Sequence, residues 1–270
     1  MTSAPRPLDG VRVVEFSHMV MGPTCGLILA DLGADVVKVE PAPGGDKTRR
    51  LPGSGSGFFG TYNRNKRSIS VNLKSVEGLE FATHLVRASD VLLENFGAGV
   101  LDRLGLGYDA MQEINPSLVY CALKGFLSGP YEQRAALDEV VQMMGGLAYM
   151  TGPEGRPLRA GASVNDVMGG LFGVIAIQAA LWERQRTGKG TFVRAGLFEN
   201  NMFLVAQHMV QYRQTGVPAV PMPERVSAWA VYDVFETADG EKIFVGVVSD
   251  KQWSQFCKVF GLDDLLQDAE

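Results

Sequence analysis

Asp166 stands just ahead of a long apolar run, Met168 to Trp182, with Gly169 and Gly170 directly behind it. A carboxylate in that position has two readings. It can cap the helix, because an Asp side chain accepts the free N–H groups of a first turn. It can also act as a nucleophile, kept ionised by the positive end of the helix dipole. In the second reading the bare glycines let a bulky thioester approach, and their N–H groups face a developing oxyanion. His18 lies in the first β-α turn, where ligands of open α/β sheets bind. His84 falls within a helix and reads as a surface or packing residue. With His208 they are the three histidines, and no pair of them has metal-ligand spacing, so no zinc site is expected.

Arg49, Arg50, Arg64, Lys66, Arg67 and Lys74 gather in one stretch of an otherwise acidic chain. They form either a solvated loop or a clamp for a phosphorylated carrier, since Arg and Lys pair with phosphate oxygens. Gly55-Ser-Gly-Phe-Phe-Gly60 has the form G-x-G-x-x-G, but it does not join a strand to the helix it opens. A dinucleotide pyrophosphate needs that context, so the nicotinamide reading falls. There is no G-x-S-x-G and no P-loop lysine motif, which leaves hydrolase and kinase readings without support.

The elements that must position these residues alternate. Val11 to Phe16, Asp35 to Glu40, Asp90 to Glu94 and Leu118 to Leu123 read as short strands. Gly22 to Leu32, Ser75 to Ala88 and Asp109 to Asn115 read as the helices between them, Asp109 and Gln112 having capping-box spacing. Such β-α-β units build a doubly wound parallel sheet. Ala135 to Tyr149, Asp166 to Arg186 and Phe198 to Gln214 are expected as helices, with a short strand at Thr191 to Ala195. Ala230 to Thr237 and Lys242 to Val248 then alternate as a hairpin, and Asp250 to Phe260 forms a helix closed by Gly261.

The chain has 270 residues, 46% of them hydrophobic and 20% charged, enough for a sizeable core. Its net charge of -5 argues against a general nucleic-acid surface. The longest apolar run falls short of the ~20 residues needed to cross a bilayer, so no membrane partner is expected. Cys25, Cys121 and Cys257 have no paired spacing, which points to a reducing cytoplasm.

Several blocks in order resemble the family III CoA-transferases, the CaiB/BaiF family. They are Pro7-Leu-Asp-Gly10, Gly33-Ala-Asp-Val-Val-Lys-Val-Glu40, Asn65-Lys-Arg-Ser68 and Asn72-Leu-Lys74. Glu94-Asn-Phe96 with Leu101, Arg103 and Gly105 follows, then Lys124-Gly-Phe126, Asp166, and Arg184 with Thr187-Gly-Lys-Gly190. The resemblance implies a Rossmann-like doubly wound α/β domain over residues 1–190. A linker helix over 191–225 and the start of a smaller α+β domain over 226–270 would follow. Family members form interlocked dimers, so a homodimer is implied, and their C-terminal part returns to the first domain, a segment this chain does not reach.

The implied reaction moves CoA between a thioester and a free carboxylic acid through an aspartyl-CoA thioester on Asp166. CoA is then a substrate, not a permanently bound cofactor. Carried over one at a time, His18, Val20, Lys74, Asn95, Arg103 and Lys124 match CoA-contacting positions. A basic CoA contact of the family falls on Pro41 or Ala42 here. The stretch from Lys124 to Gly145 resembles the branch acting on short dicarboxylyl-CoA esters such as mesaconyl- or succinyl-CoA. Arg49, Arg134 and Arg159 are then candidates for holding a second carboxylate. Two other readings stay open. One is an α-methylacyl-CoA racemase, although its His-Asp pair reads Leu137-Asp138 here. The other is a truncated, non-catalytic CoA-binding protein.

Overall fold

Six short apolar runs become one parallel sheet. They are β1 (Arg12–Phe16), β2 (Asp35–Pro41), β3 (Arg67–Val71), β4 (Val91–Glu94), β5 (Val119–Lys124) and β6 (Phe192–Gly196). The computed structural model describes residues 4–266. In it the strand order is β3-β2-β1-β4-β5-β6, with every pair parallel. The order reverses between β1 and β4, and the crevice above that switch point is where open α/β sheets bind ligands.

The central strands are apolar on both sides because both sheet faces are covered. On one face Val13, Leu93 and Cys121 pack with Cys25 and Leu29 of α1 (Met21–Asp31) and with Val174 and Ile177 of α8 (Val164–Thr187). On the other, Val14, Phe16, Leu92 and Tyr120 meet Ala82 and Val86 of α3 (Val76–Arg87) and Met111 of α5 (Tyr108–Ile114). The 24 residues of α8 are long and apolar enough in composition to cross a membrane, more than the run Met168 to Trp182 suggested. The helix nevertheless lies against α1, β5 and β6. Its Gly170 has no room for a Cβ, which would sit 2.7 Å from Thr24 Cβ and 2.9 Å from the Met21 carbonyl oxygen.

Three expectations shift. The helix expected over residues 135–149 is two helices, α6 (Asp138–Met144) and α7 (Leu147–Thr151). Gly146 between them has φ +87°, which breaks the run, and a Cβ on Gly145 would lie 1.8 Å from Asn201 Nδ2. The capping box at Asp109 is not made, because α5 starts at Tyr108 behind Gly107. The first unit also does not end at residue 190. It runs to Ala219, since β6 completes the sheet and α9 (Leu197–Thr215) packs on α6, α7 and α8. The remaining helices of this unit are α2 (Phe58–Tyr62) and α4 (Val100–Arg103).

The second unit, Val220–Glu270, holds an antiparallel hairpin and one helix of regular length. These are β7 (Val231–Glu236), β8 (Lys242–Val247) and α10 (Asp250–Phe260), as the sequence predicts.

Candidate active site

The turn after β1 is held by the residue after β4. Asn95 Oδ1 accepts the His18 backbone N–H at 3.0 Å, and Asn95 Nδ2 donates to the His18 carbonyl at 2.9 Å. Both ends of the amide are therefore spent on one residue, so Asn95 positions the turn. The His18 ring stacks on Phe96 with centroids 5.8 Å apart. Desolvation lowers the pKa of the imidazole, opposed by Asp46 and assisted by Lys38. Met19 follows in the left-handed region, φ +63°, a strained choice for a non-glycine residue and a mark of functional turns.

This turn forms one wall of a cavity of about 560 Å³ at the carboxyl ends of β1, β2 and β3. Val39, Val71, Leu73 and Phe96 give it an apolar lining, with Lys47 and Lys74 among its lining residues. The Lys74 ammonium is exposed, with no hydrogen-bond or ion-pair partner among the described residues. An apolar slot with free cations suits a flat aromatic group that carries phosphates.

Much of the basic stretch is consumed internally. Arg49 forks onto Glu40 at 2.6 and 2.8 Å and stacks on Phe59. Arg64 pairs with Asp31 and Arg67 with Asp35. Lys66 is buried, 2.8 Å from Glu15, and donates to the Pro23 carbonyl. Lys38 is buried as well, 3.1 Å from Asp46 and 2.7 Å from the Ser17 carbonyl. The result is a dry cluster of two lysines and two carboxylates directly beneath the His18 turn. Burial would raise Asp46, but the Thr48 N–H and Lys38 outweigh it and hold the carboxyl below its ordinary range.

Asp166 lies at the head of α8, but the helix is capped by another residue. Asp138 of α6 accepts the N–H groups of Asn165 at 2.8 Å and Asp166 at 3.0 Å through Oδ2. Its other oxygen accepts from Gln142, one turn along the same helix. Gln142 Oε1 in turn accepts the Ala160 N–H at 2.8 Å. With the first-turn donors taken, Asp166 gains no capping bond. Burial first, and the nearby Asp138 charge second, push its carboxyl up to about 7, against a pull from Arg159. Burial and the Asp138 charge thus work against the ionised form that the sequence expectation assigned to Asp166. The Tyr62 phenol on α2 shares the site, its pKa raised by burial and by Asp166 and Asp138.

Residues 8–270 match CoA-transferase family III. The chain belongs to this family. It is 36% identical to the succinate–glutarate CoA-transferase of Agrobacterium fabrum, over 99% of this chain and 70% of that protein. It is 35% identical to the mouse succinyl-CoA:glutarate CoA-transferase, over 98% of this chain and 62% of that one. The chain thus spans about two thirds of the length of these curated relatives. A crystal structure of a CAIB/BAIF family protein from Brucella suis superposes with a TM-score of 0.85 at 37% identity, over 98% of this chain and 72% of that one.

The geometry separates the family III residues named from the sequence. His18 and Lys74 line the large cavity, and Asn95 holds its wall. Val20 does not offer its side chain: it is 1% exposed, and Met19 faces the cavity instead. Lys124 lies 2.5 Å from buried Glu94 and donates to the Phe96 carbonyl at 2.8 Å. It lines a second cavity of about 410 Å³ beside β5 and β6, away from His18 and Lys74. Its charge is spent on holding the Phe96 turn. Arg103 is exposed on α4, with Nη1 near Gly99. Gly169 and Gly170 pack α8 onto the first turn of α1 and do not open a path for a thioester. Among the described residues, the charges that act on Asp166 are Asp138, Arg159 and Glu139.

Tyr62 was not legible as a site residue, and Asp138 was marked only by the resemblance, as the Asp of the racemase pair, with its i, i+4 spacing to Gln142 as a further signal.

Proposed function

We propose that this chain transfers CoA between short carboxylic acids through a covalent thioester on Asp166. The observation that carries the reading is a half-buried carboxyl at the head of α8, pushed up to about 7 by desolvation and the Asp138 charge, in a chain of CoA-transferase family III. In the first step an Asp166 carboxylate oxygen attacks the acyl-CoA carbonyl, and the C–S bond breaks to leave a mixed anhydride and CoA thiolate. The thiolate attacks the aspartyl carbonyl, releasing the donor acid as its carboxylate and forming the aspartyl-CoA thioester. An acceptor carboxylate attacks that thioester, and the thiolate freed then attacks the acceptor's carbonyl. The new acyl-CoA leaves and Asp166 is a carboxylate again. This is covalent catalysis, dividing one exchange into easier steps. A dry site also strengthens every charge interaction on the developing oxyanion.

The two relatives are named as succinate–glutarate and succinyl-CoA:glutarate CoA-transferases, which supports short dicarboxylates as the substrate class. Ile175 and Trp182 of α8 and Phe203 of α9 are exposed apolar residues, which supports pairing of two chains. The three free, buried cysteines fit a reducing, cytoplasmic setting. The test is intact-protein mass spectrometry after incubation with succinyl-CoA. A mass gain equal to CoA, absent in Asp166→Asn, is expected. An equal gain in that variant would overturn the assignment.

A further inference from the structure

Three arginines were candidates for a second substrate carboxylate, and their surroundings differ. Arg49 is as exposed as Arg159 but is forked onto Glu40, which is 2% exposed, and stacks on Phe59, so its partner is a buried carboxylate that does not exchange freely. The guanidinium of Arg134 lies 4.4 Å from the Tyr131 ring centre, on the exposed loop after β5. Arg159 lies on the segment that enters α8. Its side chain is 39% exposed, its Nε donates to the Ala160 carbonyl at 3.1 Å, and its Nη1 meets the exposed Glu139 of α6.

The same short helix holds both partners of the reaction site. The inner face of α6 presents Asp138 to the Asp166 N–H and Gln142 to the Ala160 N–H. Arg159 is therefore fixed relative to the nucleophile through one turn of helix. Its positive charge reaches the Asp166 carboxyl, while its head is reachable from solvent. Its current partner, Glu139, is a carboxylate on a solvent-facing side chain, 51% exposed. An exposed pair of this kind is worth little and exchanges readily.

We infer that Arg159 is the specificity residue that receives the distal carboxylate of a dicarboxylate substrate, and that Glu139 occupies it until the substrate arrives. The inference rests on the transferase reading of Asp166. The substrate carboxylate displaces Glu139 from the guanidinium fork, so the free protein keeps the cation paired and ready. A monocarboxylate of the same length has nothing to put there and leaves Glu139 in place.

The experiment compares glutarate with pentanoate as CoA acceptors, using succinyl-CoA as donor, in the full chain. A hydrogen bond to a charged group is worth roughly ten- to a hundredfold in affinity. Arg159→Gln is expected to lower the glutarate-to-pentanoate ratio of kcat/KM by at least about tenfold. Glu139→Gln is expected to move the other way, lowering KM for glutarate, because it frees Arg159. A purely structural ion pair predicts the same direction for both variants. An unchanged ratio in Arg159→Gln, with the CoA adduct on Asp166 still formed, would overturn the assignment of Arg159 alone. Absence of the adduct in the unsubstituted chain would overturn the transferase reading, and this inference with it.

Discussion

Two charge clusters, one buried and one partly exposed, are built in opposite ways. Beneath the His18 turn, Glu15 and Asp46 meet Lys38 and Lys66, so anions and cations match in number. At the head of α8, Asp138 and Asp166 come together with the cation Arg159 already paired to Glu139. The first cluster is compensated and acts as a tether. It ties the loop that carries α2 to β1 and to the start of α1, through Lys66 and the Pro23 carbonyl. The second is short of positive charge, which adds to desolvation in raising the Asp166 carboxyl. Matched buried charges fix geometry, whereas unmatched ones hold a group close to its titration point.

The contrast can be broken most strongly on the compensated side. Lys38→Met leaves Glu15 and Asp46 short of a cation in a dry site, which costs about 3–5 kcal/mol of stability. Urea unfolding measures this, and a loss below about 1 kcal/mol would mean that water replaces the ammonium.

On the other side, removing charge should help. The Asp166 carboxyl moves from an ordinary 3.8 to about 7 on folding, so between these values the folded chain holds a proton the unfolded chain lacks. Stability then falls as pH rises through that window, and the penalty is complete above pH 7. Asp166→Asn removes it and is expected to be more stable than the parent at pH 8, by up to roughly 4 kcal/mol, with the gap closing toward pH 4. Thermal melts across that range check it, and a gap independent of pH would assign the change to packing.

The smallest effect comes from Asp138→Asn. It keeps an oxygen for the α8 N–H groups but removes the like charge, so Asp166 ionises at lower pH. Adduct formation at pH 6 should rise by about three- to tenfold, since each pKa unit is tenfold in the ionised fraction. A fall at every pH would show that Gln142 cannot tolerate the amide.

The sheet was legible because its strands are short apolar runs set between helices with readable ends. Ser75, for example, caps α3 by accepting the Gly78 N–H at 3.1 Å. Asp166 was legible as one of two alternatives, and the resemblance chose between them. The surroundings that set its chemistry were not. Asp138 is 28 residues away, and no local pattern pairs it with the start of α8. Lys66 read as part of a solvated loop or a phosphate clamp, and Lys38 as one position of a strand; charges are rarely fully buried, and only the fold brings both to Glu15. Met19 hid its left-handed backbone because methionine carries no signal for it. Lys124 matched a ligand position by motif, yet its neighbour Glu94 had already claimed the charge.

Helix α6 sorts its positions by the freedom each has to change. Asp138 and Gln142 point inward and hold the start of α8 and the segment of chain before it. Glu139, Val140 and Met143 point outward, with no structural bond to the α8 cap. Substitution on the outward side changes the charge and shape met at the surface without breaking the bonds that hold the head of α8. On the proposed reading of Asp166 and Arg159, substrate range can therefore drift one surface residue at a time while the support of the Asp166 carboxyl is inherited intact.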